Sequence, residues 1–84
     1  MITGSQIRAA KALLQWSGSI LADRAGVGLS SIRRVESFDG VPQNVSLNTI
    51  VSIQKALEEG GVEFIGTPDH QPGVRRRPCR SVKN

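Results

Sequence analysis

The stretch from Leu21 to Glu36, LADRAGVGLSSIRRVE, constrains the fold more than any other part of the chain, because its apolar spacing and central glycine describe two short helices joined by a tight turn. Leu21 and Ala25 stand four apart, on one face of the first helix. Gly26 then stops that helix, since the residue just past a helix end commonly takes a left-handed conformation that glycine reaches without steric cost. Val27 plugs the corner, and Ile32 and Val35 repeat the inward spacing on the second helix. Leu29, Ser30, Arg33 and Arg34 are left facing outward.

The flanking sequence supplies a scaffold for that unit. Thr3 and Gln6 have the spacing of a capping box, and Ile7, Ala10 and Leu14 form the inward stripe of a helix running to about Gln15. Trp16 reads as core at the corner that follows. Ser17 caps the next helix through its hydroxyl, although Gly18 directly behind it is a poorer helix former than alanine by roughly 1 kcal/mol. Phe38 to Asn44 is a loop, because Asp39-Gly40 turns easily and Pro42 disfavours helix before it. A fourth helix begins near Ser46, with Leu47, Ile50, Ile53 and Leu57 as its apolar face and Gly60-Gly61 as its end.

After that helix, Val62 to Ile65 reads as a short strand, and Val74 to Arg77 as a second one returning across a Gly66 to Gly73 loop. A lone two-stranded hairpin is marginal in water, so this one has to pack on the helices or pair with the hairpin of a second copy. The alternative is a single ordered strand followed by a solvated arginine arm.

Eighty-four residues, 38% of them hydrophobic, make one small domain with a modest core. No apolar run approaches the roughly 18 residues needed to span a bilayer, and the start of the chain lacks the basic-then-apolar order of a secretory signal, so a cytoplasmic protein is expected. The single cysteine, Cys79, has no internal disulfide partner, and with one histidine, His70, no metal site and no cofactor are expected. No catalytic residues are expected either, because there is no phosphate-cradling glycine loop with lysine and no nucleophile elbow. The net charge of +4 is unevenly placed. Six basic and seven acidic side chains precede Pro72, whereas Arg75, Arg76, Arg77, Arg80 and Lys83 follow it with no acid among them.

From about Ser5 to Ile65 these residues resemble the Cro and lambda-repressor type of helix-turn-helix, the XRE family. The segment Trp16-Ser17-Gly18-Ser19-Ile20-Leu21-Ala22-Asp23-Arg24-Ala25-Gly26-Val27 follows the family's framework positions. The resemblance implies an all-α domain of four to five helices, with room for a short C-terminal β-hairpin. Residues 1–66 would form the helix-turn-helix domain and residues 67–84 a basic tail. It also implies a sequence-specific regulator of transcription that binds double-stranded DNA as a homodimer, most simply a repressor, with residues 29–36 in the major groove.

On that reading Leu29, Ser30, Arg33 and Arg34 face the bases. Ser17, Gly18, Ser31, Ser37, Gln43, Asn44, Arg75, Arg76 and Arg77 face phosphates, while Lys11 and Glu36 pair to brace the recognition helix. Two positions depart from the family pattern. Gly18 stands where a glutamine usually touches phosphate and supports the recognition helix, and Leu29 stands where a polar base reader is common. Both weaken the expected readout and leave an alternative: a module that binds another protein, of antitoxin or anti-regulator type, through the same surface.

Overall fold

A computed structural model describes residues 2–76. Four helices, α1 (Gly4–Leu14), α2 (Gly18–Ala25), α3 (Leu29–Glu36) and α4 (Leu47–Glu59), precede two strands, β1 (Val62–Thr67) and β2 (His70–Arg76). The all-α expectation is corrected by this arrangement: the strands form an antiparallel two-stranded sheet packed on the helices, and the fold is mixed α/β. No helix among the described residues is long and apolar enough to cross a membrane.

Local chemistry sets the helix boundaries. The Thr3 hydroxyl accepts from the Gln6 amide at 3.1 Å while the Gln6 side-chain oxygen accepts from the Thr3 amide at 2.9 Å, completing the capping box. Ile2 and Ile7, which flank that box, are both buried in the core. α1 ends at Leu14, one residue before the expected stop, because Gln15 turns left-handed with φ 59°. The Trp16 amide then reaches back to the Lys11 carbonyl at 3.0 Å. α2 ends in the same way: Gly26 has φ 71°, and the Val27 amide donates to the Ala22 carbonyl at 3.0 Å. The shared geometry bends the chain sharply at both corners.

Ile7, Ala10, Leu21, Ala22, Ile32, Val35, Ile50, Ile53, Ala56, Leu57 and Val62 form the core, so every helix contributes an inward stripe. Leu47 is the exception to the expected α4 face. It lies on the first turn of α4 at 57% exposure, where no described residue covers it.

The hairpin extends further than its sequence suggests. Gly66 and Gly73 punctuate the region as a loop would, yet β1 and β2 pair from Val62↔Arg76 to Thr67↔His70 with one irregularity between Ile65 and Thr67. Gly66 absorbs that irregularity with φ 76°, in a position where a Cβ would stand 2.1 Å from the Gln71 carbonyl oxygen. Pro72 falls opposite this bulge, where a ladder tolerates a missing donor. The hairpin is also anchored: Gln6 Nε2 donates to the carbonyls of Ile65 at 3.2 Å and Gly73 at 2.9 Å, one on each strand.

Candidate nucleic-acid interface

α2, its turn and α3 form the helix-turn-helix unit. Ser17 opens it, its hydroxyl accepting from the Ile20 amide at 3.1 Å. The unit closes on α3, whose first residue follows Gly28, a cap with no side chain to offer the helix amides. With Ile32 and Val35 buried, helical geometry sets the rest of α3. At about 100° per residue, Ser30 points within about 10° of directly away from the core, Arg33 and Arg34 flank it at about 50° on either side, and Leu29 lies about 90° off, at the margin.

Exposure follows that geometry, for Ser30, Arg33 and Arg34 are exposed whereas Leu29 and Ser31 are half-buried. Leu29 turns toward the α2 N-terminus, where its Cδ1 would be 3.3 Å from a Cβ at position 18, so the glycine leaves the space that Leu29 occupies. An open cleft of about 230 Å³ lies between α2 and α3, and Lys11, Ser17, Gly18, Leu29 and Arg33 line it. Arg33 is therefore the guanidinium beside the α2 N-terminus, and Arg34 is on the far side of Ser30.

The ion pair between Lys11 and Glu36 forms at 2.8 Å, with both side chains only 18% exposed. Among the described residues Glu36 Oε2 is buried against that ammonium, at charge-assisted contact distance. One turn earlier on α1, Arg8 makes a second link that the sequence reading missed. Its Nη1 donates to the carbonyls of Glu36 and, at 3.3 Å, of Phe38, while its Nη2 meets Asp39 Oδ1 at 2.9 Å and Ser5 Oγ at 3.1 Å. A cation at a helix C-terminus satisfies orphan carbonyls and opposes the negative end of the helix dipole. Two cations three residues apart on α1 were the available signal, but the groups they face, on the last residue of α3 and in the loop after it, are brought there by distant packing. Close backbone packing reinforces the same junction: a Cβ on Gly4 would be 1.9 Å from the Phe38 carbonyl oxygen.

The remaining candidates are dispersed. Ser37 is exposed and donates its hydroxyl to the Arg34 carbonyl at 2.6 Å. Gln43 and Asn44 are exposed in the loop before α4, Asn44 with φ 59°. Arg75 Nε donates to Glu63 Oε1 across the hairpin at 2.8 Å. That hydrogen bond, with the carboxylate's charge, raises the Arg75 pKa above its ordinary value. Arg76 Nη1 donates to the Leu13 carbonyl at 3.3 Å. Arg77, like Cys79, Arg80 and Lys83, lies outside the described residues. Arg24 stacks over Trp16 at 4.9 Å from the ring centroid.

Arg8, Lys11, Arg24, Arg75 and Arg76 are thus engaged, while Arg33 and Arg34 have no carboxylate within 4.0 Å among the described residues. No known protein-family profile and no curated protein matches the chain.

Proposed function

We propose that this protein is a cytoplasmic regulator of transcription that binds double-stranded DNA sequence-specifically as a homodimer, acting as a repressor by occupying its site. One observation carries the reading: Ser30, Arg33 and Arg34 project from the outward face of α3 with no ion-pair partner among the described residues, on a helix fixed by Lys11 and Arg8. A helix of this size fits the major groove, where a guanidinium meets guanine O6 and N7 with paired donors, and serine contacts several bases.

The roles of the other residues follow from that docking. The Ser17 hydroxyl accepts from its own helix, which leaves its O–H for a phosphate oxygen beside the α2 N-terminus. Ser37, Gln43 and Asn44 lie just beyond α3, and Arg75, Arg76 and Arg77 add charge that strengthens binding without reading sequence. Leu29, at the margin of the face, offers apolar contact to a thymine methyl.

The test is selection from random-sequence duplexes at two salt concentrations. An enriched site with two-fold symmetry is expected, with half-sites about one helical turn apart. Arg33→Ala and Arg34→Ala then separate the two arginines. Loss of discrimination at one base pair, about 1–3 kcal/mol, marks a reader, whereas uniform weakening with a shallower salt dependence marks a phosphate contact. No enrichment at either salt concentration refutes the proposal, and specific capture of a protein instead favours the interaction-module reading.

A further inference from the structure

We infer that Asp39 is a site of isoaspartate formation, and that its conversion releases the hold of α1 on the end of α3. The chemistry needs only water, and it stands whether or not the protein binds DNA.

Asp39-Gly40 is the one place in the sequence where an aspartate or asparagine precedes a glycine. Glycine carries no Cβ, so its amide nitrogen lies open to the side chain before it. In the first step that nitrogen bonds to the Asp39 carboxyl carbon, and the carboxyl hydroxyl leaves with the amide proton as water. A second water then opens the five-membered imide. Attack at the side-chain carbonyl returns aspartate. Attack at the main-chain carbonyl breaks its bond to the Gly40 nitrogen instead, so the chain now runs through the former side chain and the α-carboxylate becomes the pendant group.

Both reacting groups are accessible. The Asp39 side chain is 92% exposed, and the Gly40 N–H donates to no acceptor among the described residues. Neither residue lies in a helix or a strand, so no ladder fixes the peptide between them. The restraint comes from α1 and the residues that open it. Ser5 Oγ donates to the Asp39 carbonyl at 3.0 Å, Gly4 N–H donates to the Gly40 carbonyl at 2.9 Å, and Arg8 Nη2 meets Asp39 Oδ1 at 2.9 Å. The Arg8 contact restrains the rotation that carries the carboxyl carbon to the nitrogen. It slows the step without blocking it, because an ion pair this open to solvent is weak. Conversion adds one carbon to the main chain between Phe38 and Gly40, whose carbonyls accept from Arg8 and from the Gly4 amide. It also moves the carboxylate that meets Arg8. These contacts cannot all re-form, and they are the ones that join α1 to the segment leaving α3.

The test is to incubate the native full chain at neutral pH and body temperature for weeks and to map it by mass spectrometry with electron-transfer fragmentation, which tells isoaspartate from aspartate at a named residue. Isoaspartate is expected at Asp39 and not at Asp69, which is equally exposed but precedes His70. Gly40→Ala slows the conversion about tenfold or more, because a Cβ crowds the attacking nitrogen. That variant keeps the fold, since the added carbon meets no atom within 4 Å and φ at this position is not positive. Arg8→Gln speeds the conversion about threefold or more by freeing the carboxyl group. In the converted protein, separated by chromatography, the Ser37 and Phe38 amides exchange faster while those of α2 keep their protection. Asp39 left intact in the native chain after the same chain unfolded in guanidinium has fully converted overturns the site, as does a Gly40→Ala variant that converts at the native rate. An unchanged rate in Arg8→Gln overturns the restraint, and unchanged exchange at Ser37 and Phe38 overturns the release of α3.

Discussion

Replacing Gln6 by methionine removes one side chain that serves three separated pieces of backbone. Its oxygen accepts from Thr3 N–H at 2.9 Å, and its Nε2 donates to the Ile65 and Gly73 carbonyls at 3.2 and 2.9 Å, which uses the amide's acceptor and both of its donors. Thr3 is 1% exposed, so its orphaned amide is left dry, at a cost of about 1–3 kcal/mol. Ile65 and Gly73 are less covered and their carbonyls regain water, so each lost bond costs about 0.5–1 kcal/mol. The buried thioether offsets about 1 kcal/mol through its apolar surface, leaving a net loss of about 1–4 kcal/mol. Urea unfolding followed by Trp16 fluorescence measures that loss, and amide exchange shows where it falls. The β1 and β2 amides should lose protection before those of α2 and α3, because the hairpin is released from α1. Gln6→Glu should cost more, since it keeps the Thr3 contact but turns a carboxylate toward two carbonyls. A loss below about 0.5 kcal/mol, or unchanged protection of the hairpin, would refute the idea that this amide fastens sheet to helix.

Gly60→Ala should destabilise by about 1–3 kcal/mol and shift the Trp16 emission, because the added Cβ would stand 2.7 Å from Trp16 Cη2 and 2.9 Å from Leu14 Cδ1 although φ is an ordinary −76°. Gly18→Ala should instead stabilise by about 0.5 kcal/mol in thermal unfolding, since the gain in helix propensity is opposed by one tight contact, with the end of the half-buried Leu29 side chain at 3.3 Å, while Ile32 and Lys11 stand at ordinary contact distance. A double-mutant cycle with Lys11→Met and Glu36→Gln should give a coupling of about 1 kcal/mol, at the upper end for surface pairs, because both side chains are largely covered.

Much of the helical layout was legible because its signals are local. The Thr3 and Gln6 box, the Ser17 cap, the start of α4 near Ser46, the left-handed Gly26 and the inward Ile32 and Val35 all depend on neighbours within a few residues. The hairpin was only half legible. Its glycines and prolines look like loop residues until Gly66 is seen to form a bulge that lets pairing continue to His70. Long-range features were not legible: the second use of the Gln6 amide, the Arg8 contacts to the end of α3, and the exposure of Leu47 all depend on which distant segment arrives beside them. For the candidate interface, spacing placed Ser30, Arg33 and Arg34 outward, but only packing against Gly18 shows why Leu29 is half-buried.

The links that hold α3 in place leave from Leu29 at its start, from its inner face and from its C-terminal end, through Leu29, Ile32, Val35, Glu36 and the carbonyls that Arg8 engages. None passes through the side chains of Ser30, Arg33 or Arg34. Stability and outward chemistry are therefore written in separate sets of residues on one eight-residue helix. The three outward positions can be exchanged together at a cost near that of ordinary surface substitutions, within about 0.5 kcal/mol each. A scaffold divided in this way can change what it recognises through mutation without first becoming harder to fold.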